Sequence, residues 1–319
     1  MYVKKEALLS SQIEGTQASL EGVLEFEADI KPKENINDLK EVINYIKALN
    51  YGIERLNELP MCLRLIKEIH KILLEGTRGA NRNPGEFRTR QNYIAPQGAL
   101  INEATFVPPP PNMVIPAMEE LEKFFYGNNI PPLVKIALIH AQFETIHPFL
   151  DGNGRMGRLL TTFYLFWIKI LSKPLLYLSY YLKKNRIEYY DLLMKVRTDG
   201  AWEDWIKFFL KGVSETSEGA ANTARDIIRL KEDLRVKLYD KAPSISAIKL
   251  LDLLFNNPMI SIKEVSERLN MSTVAANSLI KVFADLGILR EATGRKRYKR
   301  YIFSSFVEIM AEGTKMGEI

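Results

Sequence analysis

The sequence predicts a mainly α-helical protein in which a helical core carries a small β-hairpin flap and a winged helix-turn-helix domain follows at the C-terminal side. Two observations predict the class. Through most of the chain apolar residues recur at spacings of three and four, as in "INDLKEVINYIKALNYGIERL" and "CLRLIKEIHKILLEG", the period of a helix that buries one face. From Gly79 to Asn112 this period stops, and turn formers surround two short β-prone pieces, "QNYIA" and "ATFVP", which read as a hairpin or extended flap.

The elements follow in order. The first helical stretch is "EALLSSQIEGTQASLEGVLEF", and the flap comes after two more. Helices resume with "MVIPAMEELEKFFYG" and "PPLVKIALIHAQFETIH", break at "HPFLDGNGRMGR", and continue through "MGRLLTTFYLFWIKIL" and "RIEYYDLLMKVR". A long helical segment starting at Trp202 runs to "DKAPS", where proline and serine interrupt it. Beyond lie "SAIKLLDLLFNN", "SIKEVSERLN", "STVAANSLIKVFADLG" and "ILREATGRKRYKRYIF". Three helices and a basic hairpin in that order make a winged helix-turn-helix. The expected domains are an N-terminal helical region over 1–78, a core with flap and trailing helices over 79–241, and the winged helix over 242–319.

Composition narrows the class. With 319 residues, 46% of them hydrophobic and 26% charged, the chain can bury a sizeable core. Its single cysteine, Cys62, excludes an internal disulfide and a cysteine-based zinc framework, and fits a reducing compartment with cytoplasm as the default. "MYVKKEALLSSQIEG" has no apolar core of a secretory signal. "LLTTFYLFWIKIL" is shorter than the roughly 20 residues a bilayer requires, so a buried helix is expected and no membrane partner. The net charge of +5 permits contact with nucleic acid without establishing it.

The chemistry concentrates in "HPFLDGNGRMGR", residues 147 to 158. Gly152, Gly154 and Gly157 allow close approach of backbone to ligand, and the loop opens a helix whose first amide protons are unpaired, an anion nest. Arg155 and Arg158, three apart on the first turn, can grip phosphate oxygens from one face. Asp151 suits a divalent metal that also binds phosphate, and His147 at the lip of the nest suits a general base. No Lys-Ser/Thr follows the glycines and no strand precedes them, so neither a Walker loop nor a dinucleotide fingerprint fits. An isolated "DGNG" is ordinarily a tight turn, and a histidine before it a helix cap.

The whole string, however, resembles the Fic family signature H-P-F-x-D-G-N-G-R-x-x-R without departure. The resemblance implies a helical protein adenylyltransferase that moves AMP from ATP to a Tyr, Thr or Ser hydroxyl of a target protein, possible targets including the enzyme itself. It makes His147 the general base and Asp151 the Mg²⁺ ligand. Gly152, Asn153 and Gly154 become the anion hole, with Arg155 assisting, Arg158 on the γ-phosphate, and Phe149 anchoring the loop in the core. "GEFRTRQNYI" followed by "FVPPPP" is similar to the family's target-positioning flap, with Gln91, Asn92, Tyr93 and Ile94 as the carry-over. "RIEYYDLL" falls where relatives contact adenine, so Tyr189 or Tyr190 packs on the base, and one of the two belongs to the core.

"SSQIEG" fits the family's inhibitory pattern as Ser10 to Gly15, which implies that Glu14 pairs with Arg158 and keeps the γ-phosphate out. An exposed ion pair contributes only about 0 to 1 kcal/mol, so the pair must be partly desolvated to act as a switch. In the winged helix, Ser272, Thr273, Asn277 and Lys281 fall on the outward face of the recognition helix. The wing carries Arg295, Lys296, Arg297, Lys299 and Arg300, enough to touch phosphates without reading sequence. The alternative function is accordingly a nucleotide-sensing DNA-binding regulator. Whether the chain forms a homo-oligomer is left open by the sequence.

Overall fold

The computed structural model describes residues 1–95, 98–127, 129–295 and 297–315. The chain divides into two compact units, one comprising Tyr2–Ala18 and Asn35–Ser217, the other Ser19–Glu34 and the chain from Glu218 on.

The larger unit holds α1 (Tyr2–Ile13), α3 (Ile36–Arg55), α4 (Leu63–Leu74), α5 (Pro111–Tyr126), α6 (Pro132–Ile146), α7 (Asn153–Trp167), α8 (Ser179–Lys184), α9 (Arg186–Asp199) and the start of the 40-residue α10 (Trp202–Lys241). Helix α2 (Leu20–Glu27) belongs to the other unit. Asn35 starts α3 by accepting a hydrogen bond from Asn37 N at 2.8 Å, which satisfies one of the unpaired amides of the first turn. Helix α1 packs against α3 and α8, α3 against α4, and α6 against α7.

Helices α6 and α7 are the centre of this unit. Nearly every residue from Lys135 to Ile146 and from Arg155 to Leu165 is buried, the signature of a helix surrounded on all sides. Phe125, Phe143, Phe149, Phe163, Trp205 and Phe209 fill the core around them, and Trp205 Nε1 donates to Ala137 O at 2.8 Å. The segment 147–152 is therefore the connection between two immobilised helices. A loop so placed inherits the rigidity of its supports.

The two β-prone pieces form a single antiparallel bridge, Ile94 with Phe106, with N–O distances of 2.8 and 3.2 Å. The flap is otherwise tied down by side chains: Gln91 Nε2 donates to Asn92 O at 3.0 Å and Pro108 O at 2.9 Å.

The second unit contains α2, the remainder of α10, and then α11 (Ile245–Asn256), β1 (Met259–Ser261), α12 (Ile262–Arg268), α13 (Thr273–Asp285), β2 (Arg290–Glu291), β3 (Arg300–Ile302) and α14 (Ser304–Ala311). The sheet order is β1-β3-β2, both pairs antiparallel, with Ile302 opposite Met259 and Arg290. This is a winged helix-turn-helix. Strand β1 was not expected, because three residues show no period. Ser261 and Glu264 close a capping box on α12, and the buried Leu250, Leu254, Phe283 and Phe303 form the core. Helix α2 packs on α14, and Arg290 donates to Glu21 at 3.0 Å. No helix among the described residues is long and apolar enough to cross a membrane.

Candidate active site

His147 ends α6 in the left-handed conformation, φ +50°, which is uncommon for a residue with a Cβ. Several bonds hold it there. Its amide donates to Phe143 O at 2.9 Å. The buried Arg88 donates through Nε to His147 O at 2.9 Å and through Nη2 to Ile146 O at 3.3 Å, a cation on the negative end of α6. Asn92 Nδ2 bridges His147 O at 3.4 Å and Phe149 O at 2.9 Å. So the histidine is indeed a helix cap, and the cap is what aims its ring.

The ring is 17% exposed and its Nδ1 lies 3.4 Å from Glu144 O and 3.9 Å from Glu144 Oε2. The Glu144 carbonyl can only accept, which assigns the ring proton to Nδ1 and leaves Nε2 with its lone pair. Burial lowers the imidazole to about 4, and Arg197 and Arg88 push the same way. At neutral pH His147 is a base. Burial also pushes the Glu144 carboxyl up, to about 7.

The turn after it is built from below by a histidine that the sequence reading did not single out. His70 stacks on Phe149, centroids 3.6 Å apart at 5°, and accepts from Gly85 N on Nδ1 at 2.8 Å. Its Nε2 is then the donor to Asp151 O at 2.9 Å. Burial lowers His70 to about 4, so this neutral form persists. Asn153 is buried and faces the loop: Oδ1 accepts from Phe149 N and Nδ2 donates to Phe149 O, both at 2.8 Å. Its side chain shapes the turn, and only its backbone amide remains for a ligand. Gly152 caps α7 with φ +76°, a conformation favouring glycine.

Asp151, Gly152, Gly154, Arg155, His147 and Glu14 line one cavity of about 310 Å³. The Arg155 side chain is 6% exposed, and its Nε and Nη1 have no hydrogen-bond partner among the described residues; Asp151 Oδ1 stands 3.7 Å from Nη2. A buried cation with unused donors at a helix N-terminus is suited to an anion.

Arg158 and Glu14 meet across the core. Arg158 Nε donates to Ser10 Oγ at 2.7 Å, and Nη2 donates to Ser10 O at 3.0 Å and Glu14 Oε1 at 2.7 Å. The arginine side chain is 2% exposed and that of Glu14 36%. Burial opposes the charge on Arg158, but Glu14 together with the Tyr189 and Tyr190 hydroxyls outweighs it and the pKa rises. Burial likewise opposes the Glu14 charge, and Arg158 reverses this, lowering its pKa. Glu14 Oε1 lies so close to Gly154 that a Cβ there would collide with it.

The two tyrosines separate. Tyr189 is buried, its hydroxyl 2.9 Å from His140 Nε2, whereas Tyr190 is half-open and lies 4.9 Å from Tyr189, ring to ring. In the flap, Tyr93 and Ile94 are exposed, Tyr93 OH donates to Ala99 O at 3.2 Å, and Ile94 makes the bridge to Phe106. Gln91 and Asn92 are occupied with the flap and the 147–149 backbone. In the wing, Arg300 is held by Glu264, Arg295 and Arg297 are exposed, Lys299 is half-buried, and Lys296 falls outside the described residues. Ser272 caps α13 by accepting from Ala275 N at 3.2 Å, and Thr273, Val274, Asn277 and Lys281 are exposed.

Comparison with known proteins agrees with this architecture. Residues 60–165 match the Fic/DOC family, residues 1–54 the Fic/DOC family N-terminal model, and residues 248–301 a HTH DNA binding domain. The Protein adenylyltransferase Fic of Drosophila willistoni is 28% identical over 225 residues, 67% of this chain and 41% of that protein; the chain thus spans less than half the length of that relative. A Fic family protein from Desulfovibrio desulfuricans aligns over 95% of this chain and 86% of its own, at 20% identity and a TM-score of 0.59. A Fic domain containing signaling protein from Bacteroides thetaiotaomicron aligns over 69% and 85%, at 20% identity and a TM-score of 0.55. At such identities the structures speak to fold alone, but the two Fic matches take in both α1 with Glu14 after it and the loop from His147: the chain belongs to the Fic/DOC family and carries a helix-turn-helix domain on its C-terminal side.

Proposed function

We propose that this chain is a protein adenylyltransferase, held at rest by Glu14 on Arg158. The observation that carries this reading is the shared cavity: a neutral His147 with Nε2 open, beside a helix N-terminus with Asp151 and an Arg155 whose Nε and Nη1 make no hydrogen bond to any described residue. His147 Nε2 takes the proton of a Tyr, Thr or Ser hydroxyl on the target protein, and the hydroxyl oxygen bonds to the α-phosphorus of ATP. The bond from that phosphorus to the bridging oxygen breaks, and pyrophosphate leaves. The amides of Gly152, Asn153 and Gly154 and the Arg155 guanidinium receive phosphate oxygens, and displacement of Glu14 frees Arg158 for the γ-phosphate. Tyr190, the open member of the pair, packs on adenine with Tyr189 behind it.

Mg²⁺ fits the site. Among the described residues no cluster of three His, Cys, Asp or Glu stands ready to hold a metal unaided, and a single carboxylate plus phosphate oxygens suits Mg²⁺. Asp151, 40% exposed, would hold it. The ion supplies charge neutralisation on the phosphates. The target segment adds to the flap edge near Ile94, where strand pairing is largely blind to sequence; the enzyme itself is among the targets, and the reading places it in the cytoplasm.

The direct test is incubation with Mg²⁺ and ATP labelled on the α- or the γ-phosphate. Label from the α-position on protein supports the reading, and label from the γ-position alone indicates kinase chemistry and overturns it.

The lowered His147 pKa sets a pH profile. The base is active when deprotonated, so kcat/KM is expected to lose nothing to His147 between pH 7 and 5.5 and to fall only as pH approaches about 4. An acid limb centred on the ordinary histidine value of 6.5, present with His147 intact, would contradict the buried, neutral imidazole.

A second reading, a DNA-binding regulator whose core senses nucleotide, is favoured by the helix-turn-helix match and by the exposed face of α13. Duplex binding is expected to weaken with salt, and Arg295→Ala with Arg297→Ala to reduce the slope of log K against log salt by about 2, roughly one per lost phosphate contact. Duplex binding with an unchanged slope in that variant would remove the wing from the interface.

A further inference from the structure

We infer that Arg78, which lies outside the 147–158 motif, is a further phosphate-contacting arginine of this site, aimed by two buried carboxylates of α3. The inference rests on the reading above that a nucleoside polyphosphate occupies the cavity, and adds to it a residue and the means of holding it.

Arg78 lies between α4 and the flap and lines the same cavity as Asp151 and Arg155. Its neighbour Gly79 presses on the motif: a Cβ there would sit 2.6 Å from Asp151 Oδ2. The side chain of Arg78 is 60% exposed, yet it is not free to wander. Nε donates to Glu41 Oε1 at 2.9 Å and Nη2 to Asp38 Oδ1 at 3.2 Å, and both carboxylates are less than a tenth exposed. Two bonds to two fixed acceptors set the plane of a guanidinium, which is pre-organised for fork-like recognition. Its Nη1 makes no hydrogen bond to any described residue.

The carboxylates are themselves fixed from the other side. Glu41 Oε2 accepts from Thr16 Oγ1 at 2.8 Å and Asp38 Oδ2 accepts from Gln17 N at 2.8 Å. Glu41 Oε2 also stands 3.8 Å from Arg155 Nη1, an ion pair too long for a hydrogen bond, and Arg155 Nη1 and Nε are buried with no hydrogen-bond partner among the described residues. Asp38 and Glu41 therefore orient Arg78 and leave donors of both arginines unused at one cavity. For Arg155, which is buried, unmade hydrogen bonds are costly unless a ligand completes them, and Arg78 presents its free Nη1 to the same cavity. A ligand with several anionic oxygens beside Asp151 satisfies both arginines; adenosine, having none, satisfies neither.

The test uses the full chain with Glu14→Gly, so that Glu14 does not compete, and measures binding of ATP, pyrophosphate and adenosine with Mg²⁺ by calorimetry. Arg78→Ala and Arg78→Gln, the latter retaining amide donors toward Asp38 and Glu41, are each expected to weaken ATP and pyrophosphate about tenfold, to leave adenosine unchanged, and to raise the KM for ATP more than they lower kcat. Arg78→Lys is expected to recover part of the loss. Equal ATP and pyrophosphate affinities in parent and both variants would overturn the inference while leaving the nucleotide reading intact. Parallel loss of adenosine binding in both variants would mark a structural role and also overturn it. No binding of ATP or pyrophosphate by the parent itself would instead refute the occupant of the cavity, and the inference with it.

Discussion

Replacing His147 by alanine is expected to lower AMP incorporation at least a hundredfold without weakening ATP binding. General base catalysis contributes about 10²- to 10⁴-fold, and in this site no second group takes over: Glu144 approaches the ring from the Nδ1 side, away from the nitrogen left open. The ring is not part of the anion nest, so nucleotide affinity should hold within about twofold, the split of a group that acts in the transition state alone. Quantifying α-labelled AMP on protein alongside calorimetric ATP binding checks both halves. Retention of more than a tenth of the activity would remove His147 from the role of base.

Replacing Glu14 by glycine is expected to raise AMP incorporation tenfold or more. Arg158 is 2% exposed and makes three hydrogen bonds to Ser10 and Glu14. Removing Glu14 leaves the two to Ser10, so the arginine stays in place. A charge-assisted bond contributes about 1.5 to 3 kcal/mol, but the Glu14 side chain is 36% exposed, and solvent screening moves the expectation to the lower end, about 1.4 kcal/mol per factor of ten. Glu14 also follows the last residue of α1, where the negative end of the helix disfavours a carboxylate. The contact is thus strong enough to hold and weak enough to be displaced. Since Oε1 also fills space against Gly154, Glu14→Gln, which keeps the bulk, is expected to activate less than Glu14→Gly. Unchanged labelling in Glu14→Gly, with His147→Ala inactive, would rule out the inhibitory role.

The helices were legible because burial of one face imposes a period, and the winged helix because three such periods precede a basic turn between two β-prone segments. The flap was legible only as an interruption, and among the described residues it forms one bridge, Ile94 with Phe106, where the sequence predicts a hairpin. Strand β1 is too short to carry a pattern. In the site, the string from His147 to Arg158 could be read directly, since a turn and the first turn of a helix place residues three and four apart on one face. His70, Arg88, Asp38, Glu41 and Arg78 could not. Their partners lie tens of residues away, and each looks locally like an ordinary helix or loop residue: His70 is one more position on the buried face of α4.

By itself, the sequence determined the helical class and the glycine-rich turn that opens α7, because both depend on contacts within a few residues. Tertiary structure alone decided the rest. It placed Glu14 against an arginine 144 positions on, held His147 in a left-handed cap with Arg88, buried Tyr189 and left Tyr190 open, and stripped the His147 imidazole of its charge. Such outcomes depend on desolvation and on which distant acceptors surround a group, and these are fixed only when α1, α3, α4 and the flap pack around α6 and α7.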